Sequence, residues 1–325
     1  MSITEFDLIK RYFAVGKVSR NDVILGIGDD GAVLQVPHGK ELVVSIDTLV
    51  AGIHFPEDTD PESIGYKAIA VNLSDMAAMG AEPAWATLSL TLPEADHNWL
   101  RAFSQGFFDL ADQFNVQLVG GDTCRGPLSV TVQLHGFVNT GEALRRDTAR
   151  PGDLIYVTGT LGDAGLALAI KQGKFAALQK DYEYLLQRLD RSVPRISEGL
   201  GLHGVAHAVI DISDGLASDL GHIIEASHVG ATLYAGKIPV SPVFESYRKV
   251  IGENTWIDMA ISSGDDYELC FTINPESQDM LHKRLPNIRY TNIGEINASS
   301  GLRCVLENGY ELVPASSGYD HFRDE

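Results

Sequence analysis

A chain of 325 residues, 44% apolar and with a formal charge of −19, has material for more than one core and no surplus of cations for a phosphate backbone. Nucleic acid is therefore not an expected partner. No run reaches the roughly 18 apolar residues that a membrane span needs, and the opening MSITEFDLIKRYF reads as an amphipathic helix rather than a leader, so a soluble, cytoplasmic protein without a membrane partner is expected.

The first predicted element is a helix over residues 3–14, followed by an apolar run ending in GIGDD. AVLQV and ELVVSID flank the turn PHGK and predict a β-hairpin. Pro61 suits a first helical position, and the pattern from there predicts a helix to Gly80 that contains NLSDMAAMG. AWATLSLTL alternates as a strand, EADHNWLRAFSQGFFDLADQFN as a long amphipathic helix, and QLVGG and LSVTVQLHGFV as further strands. The polar, basic stretch 140–153 is the best boundary, dividing the chain into domains 1–140 and 141–325.

Beyond it, DLIYVTG predicts a strand, TLGDAG a turn and GLALAIKQG a helix. Helices follow near 176–190, 214–227, 241–251 and 275–285, and strands near 206–212, 231–236, 267–273, 288–296 and 302–306. The expected class is α/β with mixed, α+β-type sheets in two domains. Cys124, Cys270 and Cys304 are widely spaced and predict neither a zinc site nor a disulfide framework.

Six acidic motifs stand at or near the ends of apolar runs: GDDGAV, SIDTL, NLSDMAAMGA, GGDT, DISDGL and SGDDYELC. Carboxylates beside glycine or serine supply hard oxygen ligands next to adaptable backbone, a combination that suits Mg²⁺. Each motif also has an ordinary reading. Asp75 and Asp214 could cap helices, Asp122 could close an Asx-turn, Asp29 could be solvated, and His54 could be a packing histidine. The number of such motifs, rather than any one, argues for a site.

Residues 26–31 spell GIGDDG, which mimics a dinucleotide-binding fingerprint, with Asp47 at the spacing of its acidic residue. That fingerprint needs a helix after the glycines, whereas the following residues read as strand, and two loop aspartates would repel bare pyrophosphate. A polyphosphate bridged by Mg²⁺ fits the loop better, because Mg²⁺ commonly combines one or two carboxylates with substrate phosphates.

Taken in order, GDDGAV, SIDTLVAGIHF, KAIAVNLSDMAAMGAEP, GGDT, DISDGL, GDDYELC and the terminal GYDHF resemble the thiamine-monophosphate kinase family, within the superfamily of aminoimidazole ribonucleotide synthetase and selenophosphate synthetase. The resemblance runs from residue 28 to residue 322. It implies the two-domain aminoimidazole ribonucleotide synthetase-like fold, a homodimer, and ATP-dependent phosphorylation of thiamine monophosphate to the diphosphate. The N-terminal domain would bind ATP and Mg²⁺ and dimerise; the C-terminal domain would complete the active site.

The same resemblance implies several Mg²⁺ ions held by Asp30, Ser45, the backbone of Ile46, Asp47, Asp75, Asp122, Asp211 and Asp214. Gly121, Asp122, Arg146 and Ser213 would touch ATP, and His54, Asp265 and Tyr319 the thiamine phosphate. Asp265 stands where the family usually has Glu, and Tyr319 where Trp is common. The acceptor is a phosphate whose second pKa is about 6, so direct in-line transfer needs no general base. Rival readings are a superfamily member with another acceptor, a non-catalytic acidic cation binder, and a dinucleotide oxidoreductase.

Overall fold

The computed structural model describes residues 4–177, 179–306 and 308–312. Their contacts divide the chain into two compact units, one formed by residues up to 76 and 81–143, the other by 77–80 and from 144 onward.

The first unit opens with helix α1 (Glu5–Leu8), continued by a π-helical turn over Ile9–Phe13. Strands β1 (Val23–Leu25) and β2 (Val33–Leu34) pair antiparallel on either side of the glycine loop. Strand β3 (Lys40–Val50), helix α2 (Pro61–Ala78), strand β4 (Glu82–Leu92), helix α3 (His97–Gln113) and strands β5 (Gln117–Arg125) and β6 (Ser129–Asn139) complete the unit. The four longer strands lie in the order β3-β6-β4-β5, with β4 and β5 parallel and the other pairs antiparallel.

The expected hairpin between AVLQV and ELVVSID does not form. β2 pairs with β1, and β3 pairs along its whole length with β6, from Lys40 opposite Asn139 to Val50 opposite Ser129. The turn at PHGK is present, with Lys40 N–H donating to the Pro37 carbonyl at 3.2 Å, but it hands the chain from one sheet to the other. Because no helix follows the glycines, the structural context of a dinucleotide fingerprint is missing here.

Helix α3 starts where Asp96 accepts hydrogen bonds from the Asn98 and Trp99 amides at 2.8 and 2.7 Å. Its buried face, Leu100, Phe103, Phe107, Leu110 and Ala111, repeats at helical spacing. α2 buries Ile64, Ala68, Ile69, Leu73 and Met76. The two helices touch through backbone: a Cβ on Gly65 would lie 2.0 Å from the Phe103 carbonyl oxygen, and one on Gly106 would lie 1.9 Å from that of Glu62.

The second unit holds β7 (Leu154–Thr158), α4 (Asp163–Lys171), α5 (Gln179–Asp190), α6 (Ile196–Gly201), β8 (Ala206–Asp211), α7 (Leu216–Ser227) and β9 (Gly230–Tyr234). Then come α8 (Pro242–Ser246), α9 (Arg248–Ile251), α10 (Glu253–Ser262), β10 (Leu269–Ile273), α11 (Gln278–Arg284), β11 (Tyr290–Asn297), β12 (Gly301–Val305) and β13 (Glu311–Leu312). Helices α6 and α10 are not anticipated from the sequence. The sheet order is β13-β12-β9-β11-β7-β10-β8, antiparallel except for β12 beside β9. Both units thus carry mixed sheets with helices, as expected. Ile155, Val157, Ile210, Leu220, Ile223, Leu233 and Ile293 form the centre of the second core.

Candidate active site

In the first unit the glycine loop is shaped by Gly28 at φ +125° and by the Asp30 amide, which donates to the Asp29 carboxylate at 2.8 Å. Asp30 itself is exposed. A cavity of about 240 Å³ lies beside Gly26 and Ile27, but Phe13, Phe108, Val116 and Leu118 line it and no carboxylate does.

Ser45 and Asp47 alternate with Ile46 along β3, so they share one face of the sheet and Ile46 takes the other. The Ser45 hydroxyl donates to the carboxylate of Asp75. Asp75 sits well inside α2 rather than at its start, so the capping reading does not apply. Asp122 lies within β5, not in an Asx-turn, opposite Ser89. Ser89 in turn faces Thr131, whose hydroxyl pairs with that of Thr48 at 2.8 Å. That register puts Asp122 on the face opposite to Ser45 and Asp47. Gly121, at φ +155°, has its Cβ position 1.9 Å from the Leu88 carbonyl oxygen, so only glycine fits.

His54 follows β3 in a tight turn. Its Nδ1 accepts the Val50 amide at 3.0 Å, which assigns the ring proton to Nε2. Its carbonyl accepts from Lys67 Nζ at 3.3 Å, and Lys67 is buried within α2. The signal for Lys67 is that it is the one cation in helix α2.

In the second unit β8 ends at Asp211 and a short loop leads into α7. The Asp214 amide donates at 3.1 Å to the carboxylate of Asp219, a buried residue that the sequence reading did not single out. Burial, and then the nearby Asp211 and Asp214, push the Asp219 carboxyl up to about 8. Three carboxyl groups thus gather around one loop. Among the described residues, however, no group of three or more His, Cys, Asp or Glu side chains forms a ready metal cage. An all-oxygen donor set of this kind suits Mg²⁺, which completes its shell with water and phosphate.

This loop is joined to the GDDYELC segment by backbone hydrogen bonds. The Asp265 amide donates to the Ser213 carbonyl at 2.9 Å, the Tyr267 amide to Ile212 at 2.8 Å, and the Ile212 amide to Glu268 at 2.8 Å. Ser213 and Asp214 therefore stand beside Asp265. Arg146 is exposed, and its carbonyl is tied to the Ser227 hydroxyl at 3.0 Å. Its neighbour Arg145 is engaged with Asp147. Tyr319 lies outside the described residues.

Two family models match the chain: AIR synthase related protein, N-terminal domain, over residues 28–138, and the corresponding C-terminal domain over residues 150–307. A thiamine-monophosphate kinase of Escherichia coli O157:H7 is 49% identical over 325 residues, covering 99% of each chain. The chain belongs to the thiamine-monophosphate kinase family. A crystal structure of a thiamine-monophosphate kinase from Stenotrophomonas maltophilia K279a shares 48% identity and superposes with a TM-score of 0.85, covering 96% of this chain and 99% of that one. The structure of AaThiL complexed with AMPPCP and TMP shares 30% identity at a TM-score of 0.79, covering 98% and 97%.

Among the acids of this thiamine-monophosphate kinase family chain, Asp30 and Asp122 are exposed, Asp47, Asp75 and Asp214 are half-buried, and Asp211 is buried. Asp219, Asp266 and Glu268 are interior.

Proposed function

We propose that the protein transfers the γ-phosphoryl group of ATP to thiamine monophosphate, giving thiamine diphosphate, by direct in-line attack of the acceptor phosphate. The observation that carries this is near-complete coverage at 49% identity by a named thiamine-monophosphate kinase. The AaThiL complex with AMPPCP and TMP supports the pair of substrates, AMPPCP being an ATP analogue.

The first unit would hold Mg²⁺ through Asp30, Ser45, the Ile46 carbonyl, Asp47 and Asp75, with Asp122 holding a further ion from the opposite face of the sheet, and the second unit through Asp211 and Asp214. Bound Mg²⁺ would offset the charge of two anions brought together, the main electrostatic task in this reaction. Ser45 orients the Asp75 carboxylate, and Asp219 fixes the Asp214 amide. Gly121 and Asp122, with Arg146 and Ser213, would contact ATP. His54, Asp265 and Tyr319 would face the thiamine phosphate. The attacking oxygen is already ionised near neutral pH, which removes the need for a base.

A homodimer and a cytoplasmic location are part of this reading. Leu42, Val44 and Ile46 leave an apolar face exposed on β3, an edge strand of its sheet, and that face supports self-association. No helix among the described residues is long and apolar enough to cross a membrane.

The test is product analysis with purified protein, ATP, Mg²⁺ and thiamine monophosphate, following thiamine diphosphate by chromatography and ADP release in parallel. ADP release that is independent of thiamine monophosphate, or that depends on another acceptor, would overturn the assignment.

A further inference from the structure

The segment Gly264–Cys270 carries three acids, and they do different things. Asp265 is half-buried, whereas Asp266 and Glu268 are interior, Glu268 with 1% exposure. Glu268 receives Arg195 as a fork, Nε to Oε2 and Nη2 to Oε1, both at 2.6 Å. Arg188 Nη2 adds a contact to Oε1 at 3.3 Å, and the Thr158 hydroxyl donates to Oε2 at 2.7 Å. Gly159, at φ +55°, closes over the same carboxylate: a Cβ there would lie 2.0 Å from Oε1.

An interior carboxylate with two guanidiniums is a poor way to gain stability, because desolvation offsets most of the attraction and well-packed apolar groups do as well. What such a group can do is fix one arrangement of backbone. The backbone here needs fixing: Asp265 at φ +67° and Tyr267 at φ +50° both occupy the left-handed region, which costs a non-glycine residue of order 1 kcal/mol or more and persists where the surroundings over-determine it. Glu268 supplies that constraint from one side, one residue beyond Tyr267. The other side is supplied by the amides of Asp265 and Tyr267 on the 212–213 backbone.

We propose that Glu268, gripped by Arg195 and Arg188, is a positioning residue that holds Asp265 and Ser213 in register, so that the acceptor contact and the nucleotide contact are set by one buried carboxylate. The proposal rests on the phosphotransfer reading for the roles of Asp265 and Ser213. It also separates Glu268 from the acids expected to bind metal, since its carboxylate is already taken up by donors of the protein itself.

The experiment compares wild type with Glu268→Gln, which keeps the shape and removes the charge. Two constants are read: KM for thiamine monophosphate in steady-state assays, and Kd for Mg-AMPPCP by titration calorimetry. Removing a group that orients a ligand-binding residue typically costs about tenfold in affinity, and a rise of that size in either constant supports the proposal. A role in stability alone lowers the melting temperature and the fraction of active sites, seen in Vmax and in titration stoichiometry, while KM and Kd stay at wild-type values; that result overturns it. Should Glu268→Gln fail to fold, Arg195→Lys keeps the positive charge but loses the fork, and the same two constants decide. Wild-type protein inactive with thiamine monophosphate would overturn the functional reading instead, and nucleotide affinity would still decide the role of Glu268.

Discussion

The Ser45 hydroxyl donates to the Asp75 carboxylate, tying an edge strand to the helix packed on the same unit. Two side chains 30 residues apart thus present one oxygen cluster, with Asp47 two residues along the same face. Asp75→Asn keeps an oxygen for Ser45 but removes the charge, and we expect turnover to fall by about 10² or more, the scale associated with losing a group that stabilises transferring phosphate. Ser45→Ala leaves the charge and frees its orientation, so about a tenfold loss is expected. Both are checked by kcat across an Mg²⁺ titration. Near-normal Asp75→Asn activity at limiting Mg²⁺ would remove Asp75 from the metal-binding set.

Gly106→Ala tests the contact between α2 and α3. On an isolated helix this change stabilises by about 1 kcal/mol, since alanine is the better helix former. Here the new methyl meets the Glu62 carbonyl at 1.9 Å, and overpacking of a core costs roughly 1–3 kcal/mol. A lower urea midpoint is therefore expected. A raised midpoint would mean the helices are not in backbone contact at this glycine.

What was legible in the sequence follows from the range of the interactions involved. Helices α2 and α3 were legible because Pro61 and the amphipathic pattern of α3 are local signals. The pairing of β3 was not, because its partner β6 lies about 90 residues along the chain while the turn at PHGK offers a plausible local partner. GGDT likewise read as the end of a strand, with Asp122 in a possible Asx-turn, yet the strand continues through it to Arg125, past a bulge opposite Ala86 and Thr87. Asp219 escaped notice because an aspartate in the first turn of a helix is ordinary, and only its burial against Asp211 and Asp214 marks it out. The division of labour within GDDYELC was equally hidden, since nothing local distinguishes the half-buried Asp265 from the interior Asp266 and Glu268.

Asp266 makes a pH-dependent prediction. Burial holds its carboxyl well above the ordinary carboxylate range, against the opposing pull of Arg188. Oδ2 accepts the Gly162 amide at 2.8 Å, and Oδ1 has no hydrogen-bond partner among the described residues. The folded chain therefore keeps a proton that the unfolded chain releases near pH 3.9 or so. A state that binds more protons when folded loses stability as pH rises, so this group's contribution declines upward from the ordinary carboxylate value through its raised folded value. Asp266→Asn keeps the acceptor for Gly162 and has nothing to titrate. The loss of melting temperature from about pH 5 to about pH 8 should be shallower in the variant than in wild type. Parallel profiles would show that Asp266 is already ionised in the fold.

The apolar face of β3 makes the last prediction. Val44 is 47% exposed and stands between Leu42 and Ile46 on a strand of 11 residues at the sheet's edge. Long apolar edge strands left in water favour pairing with another chain, and a two-fold pairing uses the same face on both copies. Val44→Glu places a charge there twice per dimer. Burying an unpaired charge or polar group costs at least about 2 kcal/mol, so the two in a dimer cost about 4 kcal/mol or more, roughly 10³-fold in the dimer constant. Val44 is not among the proposed ligands, so any loss of activity in this variant should follow dissociation and be reduced at high protein concentration. Sedimentation equilibrium over a range of concentrations measures the shift directly. A wild-type chain that stays monomeric at the highest concentration would remove the homodimer from the functional reading, and would leave the Leu42–Val44–Ile46 face without an account.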